Sequence, residues 1–247
     1  MEIVKFDDVS LTYYTPKSEI DVLSGLNFSV NEGEIVCIVG PSGCGKSSIL
    51  NVISGLIEPT SGTVSVLCKC GYMFQKDNLL EWRTVYKNVL LGLEITKQDN
   101  EENRNRAKEL LEKYGLWEFR NYHPSQLSGG QRQRVALIRT LVMNPDLMLL
   151  DESFSALDFQ TRLLVNEDVY RIIKDEGKSA IIVTHDISEA ISMGDRVIVL
   201  SNRPAKIKNI HTIDLNVDGD RTPLKSRESS QFNDYFQKIW KEMNDNG

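Results

Sequence analysis

At 247 residues, with 40% hydrophobic and 26% charged content, the chain is long enough for one sizeable core and has the composition of a folded globular protein. Its formal net charge of -6 counts against a basic nucleic-acid-binding face, so no nucleic acid is expected as a partner. The longest apolar runs, 147–150 and 180–183, fall far short of the roughly 20 residues that a membrane span needs, and residues 1–8 lack the basic and apolar regions of a signal peptide.

In chain order, the alternation up to about Val30 predicts antiparallel strands. The aliphatic run Ile35 to Val39 predicts a strand buried on both faces. It leads into Gly40-Pro41-Ser42-Gly43-Cys44-Gly45-Lys46-Ser47, an ungapped G-x-x-x-x-G-K-[ST] motif, and then into helix-like Ser48-Ile49-Leu50-Asn51-Val52-Ile53. A polyphosphate wants many backbone N–H donors aimed at one spot. Glycines allow the tight turn and close approach, and the helix that follows adds positive potential at its N-terminus. Lys46 is the point charge for β- and γ-phosphates, and the Ser47 hydroxyl is a ligand for magnesium. A plain Gly-rich turn is the alternative, but strand, loop and helix all stand in the right order. The four cysteines, Cys37, Cys44, Cys68 and Cys70, do not read as a disulfide framework and suggest a reducing compartment. Cys68-Lys69-Cys70 has no second Cys/His pair near it to complete a metal site.

Residues 77–127 read as mainly helical. Ala107, Leu110, Leu111 and Tyr114 share one helix face, with Gly115 as the C-terminal stop. Leu127-Ser128-Gly129-Gly130-Gln131 opens a further helix, carried on by Val135, Ile138, Leu141 and Val142 and stopped near Pro145. Exposed N–H groups at that start make a second anion cradle; the plainer alternative is an ordinary N-cap with flexible glycines. The strand Met148 to Leu150 ends in Asp151-Glu152, at the strand end where open α/β sheets bind ligands. Asp151 is placed to hold magnesium and Glu152 to act as general base on an attacking water. A strand from Ala180 to Val183 precedes His185, and another runs from Val197 to Leu200. From about residue 205 the chain is polar until Phe232, Tyr235, Phe236, Ile239, Trp240 and Met243, which fit one amphipathic helix packed on the body. His123 and His211 read as surface residues.

Taken together, the Lys46 loop, the Asp151-Glu152 strand end and Leu127-Ser128-Gly129-Gly130-Gln131 resemble the ATP-binding-cassette family over nearly the whole chain. The resemblance implies an α/β P-loop NTPase fold: an N-terminal antiparallel β-subdomain, a mostly parallel core sheet and an inserted helical subdomain at about 77–130. It implies one domain over 1–230 and a helical tail over 231–247. ATP and Mg2+ are the implied cofactors, with Gly40 to Ser48, Gln75 and Ser128 to Gln131 as nucleotide contacts and Ser47, Gln75 and Asp151 at the metal. Tyr13 sits where the family stacks an aromatic on adenine; Tyr14 is the fallback, and sheet packing is the alternative for either. Gln75 matches the Q-loop, Ser155-Ala156-Leu157-Asp158 the D-loop, and His185 the switch histidine beside Glu152, so Glu152, His185 and Lys46 are the expected catalytic groups.

The family also implies a homodimer in which each ATP lies between the Lys46 loop of one chain and the Ser128 segment of the other. Further implied partners are transmembrane permease subunits and, indirectly, an extracytoplasmic solute-binding protein, with the chain peripheral on the cytoplasmic face of the membrane. Leu79-Leu80-Glu81-Trp82-Arg83-Thr84 and Ser201-Asn202-Arg203-Pro204 resemble the nitrate/sulfonate/taurine importer branch. The chain departs from the pattern at Ser153, where proline is usual, at Ser48, where threonine is common, and in a short path from Ser47 to Gln75 that predicts a trimmed edge of the N-terminal sheet. A soluble cassette ATPase uncoupled from transport is the alternative class, and a non-catalytic nucleotide switch is disfavoured by intact Glu152 and His185.

Overall fold

The computed structural model describes residues 1–16, 18–154 and 157–244. Two long strands, β1 (Glu2–Thr15) and β2 (Ser18–Asn31), form an antiparallel hairpin, and β4 (Ser61–Val66) pairs with the other side of β1. The second sheet contains β3 (Ile35–Val39), β5 (Cys70–Met73), β6 (Leu147–Asp151), β7 (Ser179–Thr184), β8 (Arg196–Leu200) and β9 (Ile207–Thr212). Its order is β5-β6-β7-β3-β8-β9, parallel throughout except for β8 against β9.

The period-two alternation of strands explains how one sheet separates two cores. Ile35, Cys37, Val39, Met148, Leu150, Ala180, Ile182, Val197 and Val199 face one core. Their neighbours Val36, Ile38, Leu147, Leu149, Ile181, Val183, Ile198 and Leu200 face the other, shared with β1, β2 and the helix α1 (Lys46–Ile53). Both faces are dry, which is why these strands are continuous aliphatic runs.

On the first face lie α5 (Gly129–Leu141), α6 (Phe159–Asp175) and α7 (Ile187–Met193). The region expected to be helical holds α2 (Val85–Val89), α3 (Leu91–Ile95) and α4 (Glu101–Lys113), whose apolar faces close on α5 through Val85, Val89, Leu93, Leu110 and Leu111. Gly115 takes φ +67 just past α4, where a residue with a Cβ would be strained. Between α1 and β5 the described chain has only β4, a free edge of the three-stranded sheet.

The stretch after 205 differs from its polar reading. β9 pairs antiparallel with β8, and α8 (Pro223–Glu228) starts on a Thr222 N-cap. Both are half-exposed edge elements whose polar residues hide the pattern. The last helix, α9 (Phe232–Asn244), packs on the body as its apolar spacing predicts. His211 is not a free surface residue: its Nε2 lies 2.8 Å from Glu242 Oε2 on α9, and Asn209 Nδ2 donates to Glu242 Oε1 at 2.9 Å. Ile239 is the fully buried anchor of that helix. Ile239→Ala is therefore expected to destabilise the chain by about 2–5 kcal/mol, seen as a lower urea midpoint; an unchanged midpoint would show that α9 is not part of the cooperative fold.

Candidate functional site

The order of the parallel sheet brings three sequence motifs together, because β6, β7 and β3 are consecutive neighbours with their C-terminal ends on the same side. At the end of β3, the loop 40–45 turns into α1. Gly43 (φ +74) and Gly45 (φ +122) hold backbone angles that side chains resist, and a Cβ on Gly45 would stand 2.7 Å from Val22 Cγ1. Gly45 caps α1 without a side-chain bond, so no side chain occupies the N–H groups of the first turn of α1, whereas Cys44 N donates within the loop to Pro41 O at 3.2 Å. Cys44 turns its side chain into the second core, and burial pushes its thiol up, so it contributes backbone only.

Lys46 is 5% exposed. Its Nζ donates to Gly40 O at 3.0 Å and Pro41 O at 3.2 Å, and lies 3.4 Å from Glu152 Oε1. The other Glu152 oxygen, Oε2, lies 3.2 Å from His185 Nδ1. Glu152 holds φ +44, a left-handed conformation that a non-glycine residue rarely adopts. Next to it, Ser47 Oγ donates to Asp151 Oδ1 at 2.9 Å, and the Tyr72 hydroxyl stands 3.2 Å from both Asp151 Oδ2 and Asn51 Oδ1. Burial raises the Asp151 carboxyl above its ordinary range, against the pull of the Ser47 and Tyr72 hydrogen bonds. Ser153, which replaces the usual proline, is buried, and its hydroxyl donates to Met73 O at 3.4 Å, tying the end of β6 to the end of β5.

These groups open on a cleft of about 460 Å³ lined by loop residues, Gln75, Asp151 and Glu152 together with Tyr13, Ile20, Val22 and Arg203. The Tyr13 hydroxyl is 3.2 Å from Ser48 Oγ, which places its ring at the cleft; Tyr14 is exposed away from the lining. Ser128, Gly129, Gly130 and Gln131 do not line it. They form the start of α5, where Ser128 Oγ accepts from Gln131 N at 3.3 Å and Gln131 Oε1 accepts from Ser128 N at 2.9 Å. The two glycines are packing positions: a Cβ on Gly129 would stand 2.9 Å from Leu157 Cδ2, and on Gly130 3.2 Å from Val165 Cγ2. Of the expected D-loop, Ser155 and Ala156 lie outside the described residues, and Asp158 caps α6 by accepting from Thr161 N at 3.0 Å.

Side chains that the motifs do not name complete the frame. Arg132 on α5 forms a bidentate pair with Asp77, at 2.8 and 3.2 Å, and Arg139 donates to the Asp77 and Asn78 carbonyls at 2.6 and 2.8 Å. Burial alone would raise the Asp77 carboxyl, but the Arg132 and Leu79 N–H hydrogen bonds and the charges of Arg132 and Arg139 together hold it low. The segment after Gln75 is thereby fixed to the helix that Ser128 begins. Trp82, 76% exposed, projects from the loop before α2, while Arg83 Nη2 pairs with Glu94 at 2.7 Å. Behind His185, Thr184 Oγ1 donates to the buried Glu189 Oε2 at 2.5 Å and accepts from Asp186 N at 3.0 Å. An acidic residue four places beyond His185 is visible in sequence, but its burial is not. Among the described residues no group of three or more His, Cys, Asp or Glu could hold a metal ion by itself, and no helix is long and apolar enough to cross a membrane.

Burial pushes the Glu189 carboxyl from 4.5 up to about 7. Its folded value lies above the unfolded one, so the native state holds the extra proton. Stability is then highest below the unfolded value and falls as pH rises from about 4.5 to about 7. Glu189→Gln keeps an acceptor for Thr184 without the buried charge. Its thermal midpoint is expected to exceed that of the parent at pH 8, by up to about 3 kcal/mol of stability, and to converge with it near pH 5. A difference independent of pH would overturn this account.

A family model described as ABC transporter matches residues 23–155. The chain is 42% identical to the ABC transporter ATP-binding protein YtlC of Bacillus subtilis, over 99% of this chain and 96% of the relative. It is 38% identical to the taurine import ATP-binding protein TauB of Pelagibacter ubique, over 88% of this chain and 87% of the relative. It is 37% identical to the nitrate import ATP-binding protein NrtD of Synechocystis, over 91% of this chain and 86% of the relative. Among solved structures, a dimeric ATP-binding cassette in a post-hydrolysis state bound to ADP and Pi superposes with a TM-score of 0.72 at 36% identity, covering 85% of this chain and 99% of that one.

Proposed function

The chain belongs to the ATP-binding-cassette transporter family as an ATP hydrolase, and from that premise we propose that it is the ATP-hydrolysing subunit of an importer that drives uptake of a small solute, of the nitrate, sulfonate or taurine kind, through a separate permease. The names of the taurine and nitrate relatives support the solute class. The single observation that carries the catalytic part is the contact chain from Lys46 through Glu152 to His185 in the phosphate-loop cleft.

Lys46, with backbone N–H groups of the glycine-rich loop and of the first turn of α1, binds the triphosphate. Phosphate oxygens then take over the Lys46 charge, which frees the Glu152 carboxylate from its ion pair. Glu152 accepts a proton from the attacking water while His185 holds the carboxylate in place. The water oxygen bonds to the γ-phosphorus, and ADP leaves with the electrons of the broken bond. Ser47, Asp151 and Gln75 form an all-oxygen donor set that suits magnesium, a cation that keeps several positions for waters and substrate phosphates rather than for a protein cage. When bound there, the ion offsets charge on the β- and γ-phosphate oxygens. The raised Asp151 carboxyl fits this, since a cation restores the charged form that burial disfavours.

Ser128 to Gln131 stand apart from the cleft, which supports a homodimer in which each of these segments closes the site of the other chain. The helical stretch of about 77–130, with exposed Trp82, is the surface for the permease subunits, and an extracytoplasmic binding protein delivers the solute to them. The chain acts as a peripheral subunit on the cytoplasmic face. We assign residues 1–230 to the catalytic domain and α9 to the tail that follows it.

Glu152→Gln removes the proton acceptor and keeps the shape. It is expected to lower steady-state ATP hydrolysis by about 100-fold or more while ATP binding persists and a dimer accumulates on size-exclusion chromatography; parent-like turnover would remove Glu152 from this role. Lys46→Ala is expected to weaken ATP binding in calorimetric titration by at least about 10-fold, and unchanged affinity would mean that the loop is not the nucleotide site.

A further inference from the structure

The turn after β8 carries an arginine that the catalytic scheme leaves unused. We propose that Arg203 is a nucleotide-binding residue at the nucleoside end of the cleft, where its guanidinium lies against the base that stacks on Tyr13. The inference rests on the reading of this cleft as the ATP site.

The turn is built rigidly against the cleft wall. Ser201 N donates to Lys206 O at 2.9 Å, and Ser201 Oγ accepts from Lys206 N at 2.9 Å, closing residues 201–206 on themselves. Ala205, fully buried, pins the turn to the free edge of β2: Ala205 N donates to Val22 O at 2.8 Å and accepts through its carbonyl from Ser24 N at 3.0 Å. Val22 is the residue against which the phosphate loop closes at Gly45. Just before the turn, Leu200 Cβ lies 3.0 Å from where a Gly40 Cβ would stand. Backbone pairing therefore fixes residue 203 at the cleft with no help from its own side chain.

That side chain is uncommitted. Arg203 is exposed, lines the cleft, and makes no hydrogen bond or ion pair among the described residues. It shares its wall with Ile20 and Val22, and Ile20 is the register partner of Tyr13. The wall is thus one aromatic, two aliphatics and a guanidinium, which is the chemistry of a flat, partly apolar base. The phosphate end already has its cation in Lys46. A guanidinium is planar and weakly hydrated, so it stacks on a π-face as a lysine ammonium does not.

The test titrates full-length protein by calorimetry with ATP and, separately, with inorganic tripolyphosphate, each with magnesium. Arg203→Ala is expected to weaken ATP by about 5- to 30-fold and to leave tripolyphosphate within about 2-fold. Unchanged ATP affinity overturns the proposal, and so does an equal loss for both ligands, which would assign the guanidinium to the phosphates. If the alanine variant does not fold, Arg203→Lys retains the charge and loses the plane, and the same selective loss is expected. Lys46→Ala separates the two levels of argument: it should weaken both ligands, and if it weakens neither, the site assignment fails rather than the role of Arg203.

Discussion

A buried ammonium governs the architecture of this site. Lys46 lies almost wholly out of water at the start of α1, where an uncompensated cation would cost several kcal/mol. Two loop carbonyls and the Glu152 carboxylate surround it. Glu152 reaches it from a left-handed backbone conformation at the end of a strand, and the same carboxylate touches His185. One charge therefore joins the loop after β3, the turn after β6 and the loop after β7 in a single constellation.

The sheet makes this alignment possible. Parallel strands end on the same side, and the neighbours β6, β7 and β3 deliver Asp151, His185 and the phosphate loop side by side. Alternation along the same strands buries both faces, so the strand ends are anchored by two cores rather than one. The rigid base lets a few loops carry the chemistry. Ser153 illustrates the economy of the arrangement: in place of a proline, its hydroxyl links the end of β6 to the end of β5 close to Asp151.

A second constraint ties the cleft to the helical region. Arg132 and Arg139 on α5 grip Asp77 and Asn78, two and three positions beyond Gln75. Any displacement of the Gln75 segment must move with α5, whose N-terminus carries Ser128 to Gln131. The segment after Gln75 and the start of α5 are thus joined within the chain.

Much of this was legible in the sequence because the determinants are local. Buried parallel strands are short aliphatic runs, the phosphate loop is contiguous from Gly40 to Ser47, and Gly115 and Pro145 mark helix ends by backbone chemistry alone. β9 and α8 escaped because edge elements carry mixed polar residues, and His211 read as a surface residue until Glu242 on a distant helix was seen to meet it. The sequence by itself determined the family, through the motifs at 40–47 and 127–131, and how the core strands alternate, since both follow from residue type and spacing. Only the tertiary structure decided that Lys46 leans on Glu152, that the Tyr72 hydroxyl meets Asp151 and Asn51, that the buried Glu189 holds the Thr184 hydroxyl, and that Arg203 lines the cleft with Tyr13. Those relations join residues up to more than a hundred positions apart, and they exist only where strand order and burial bring the chain back on itself.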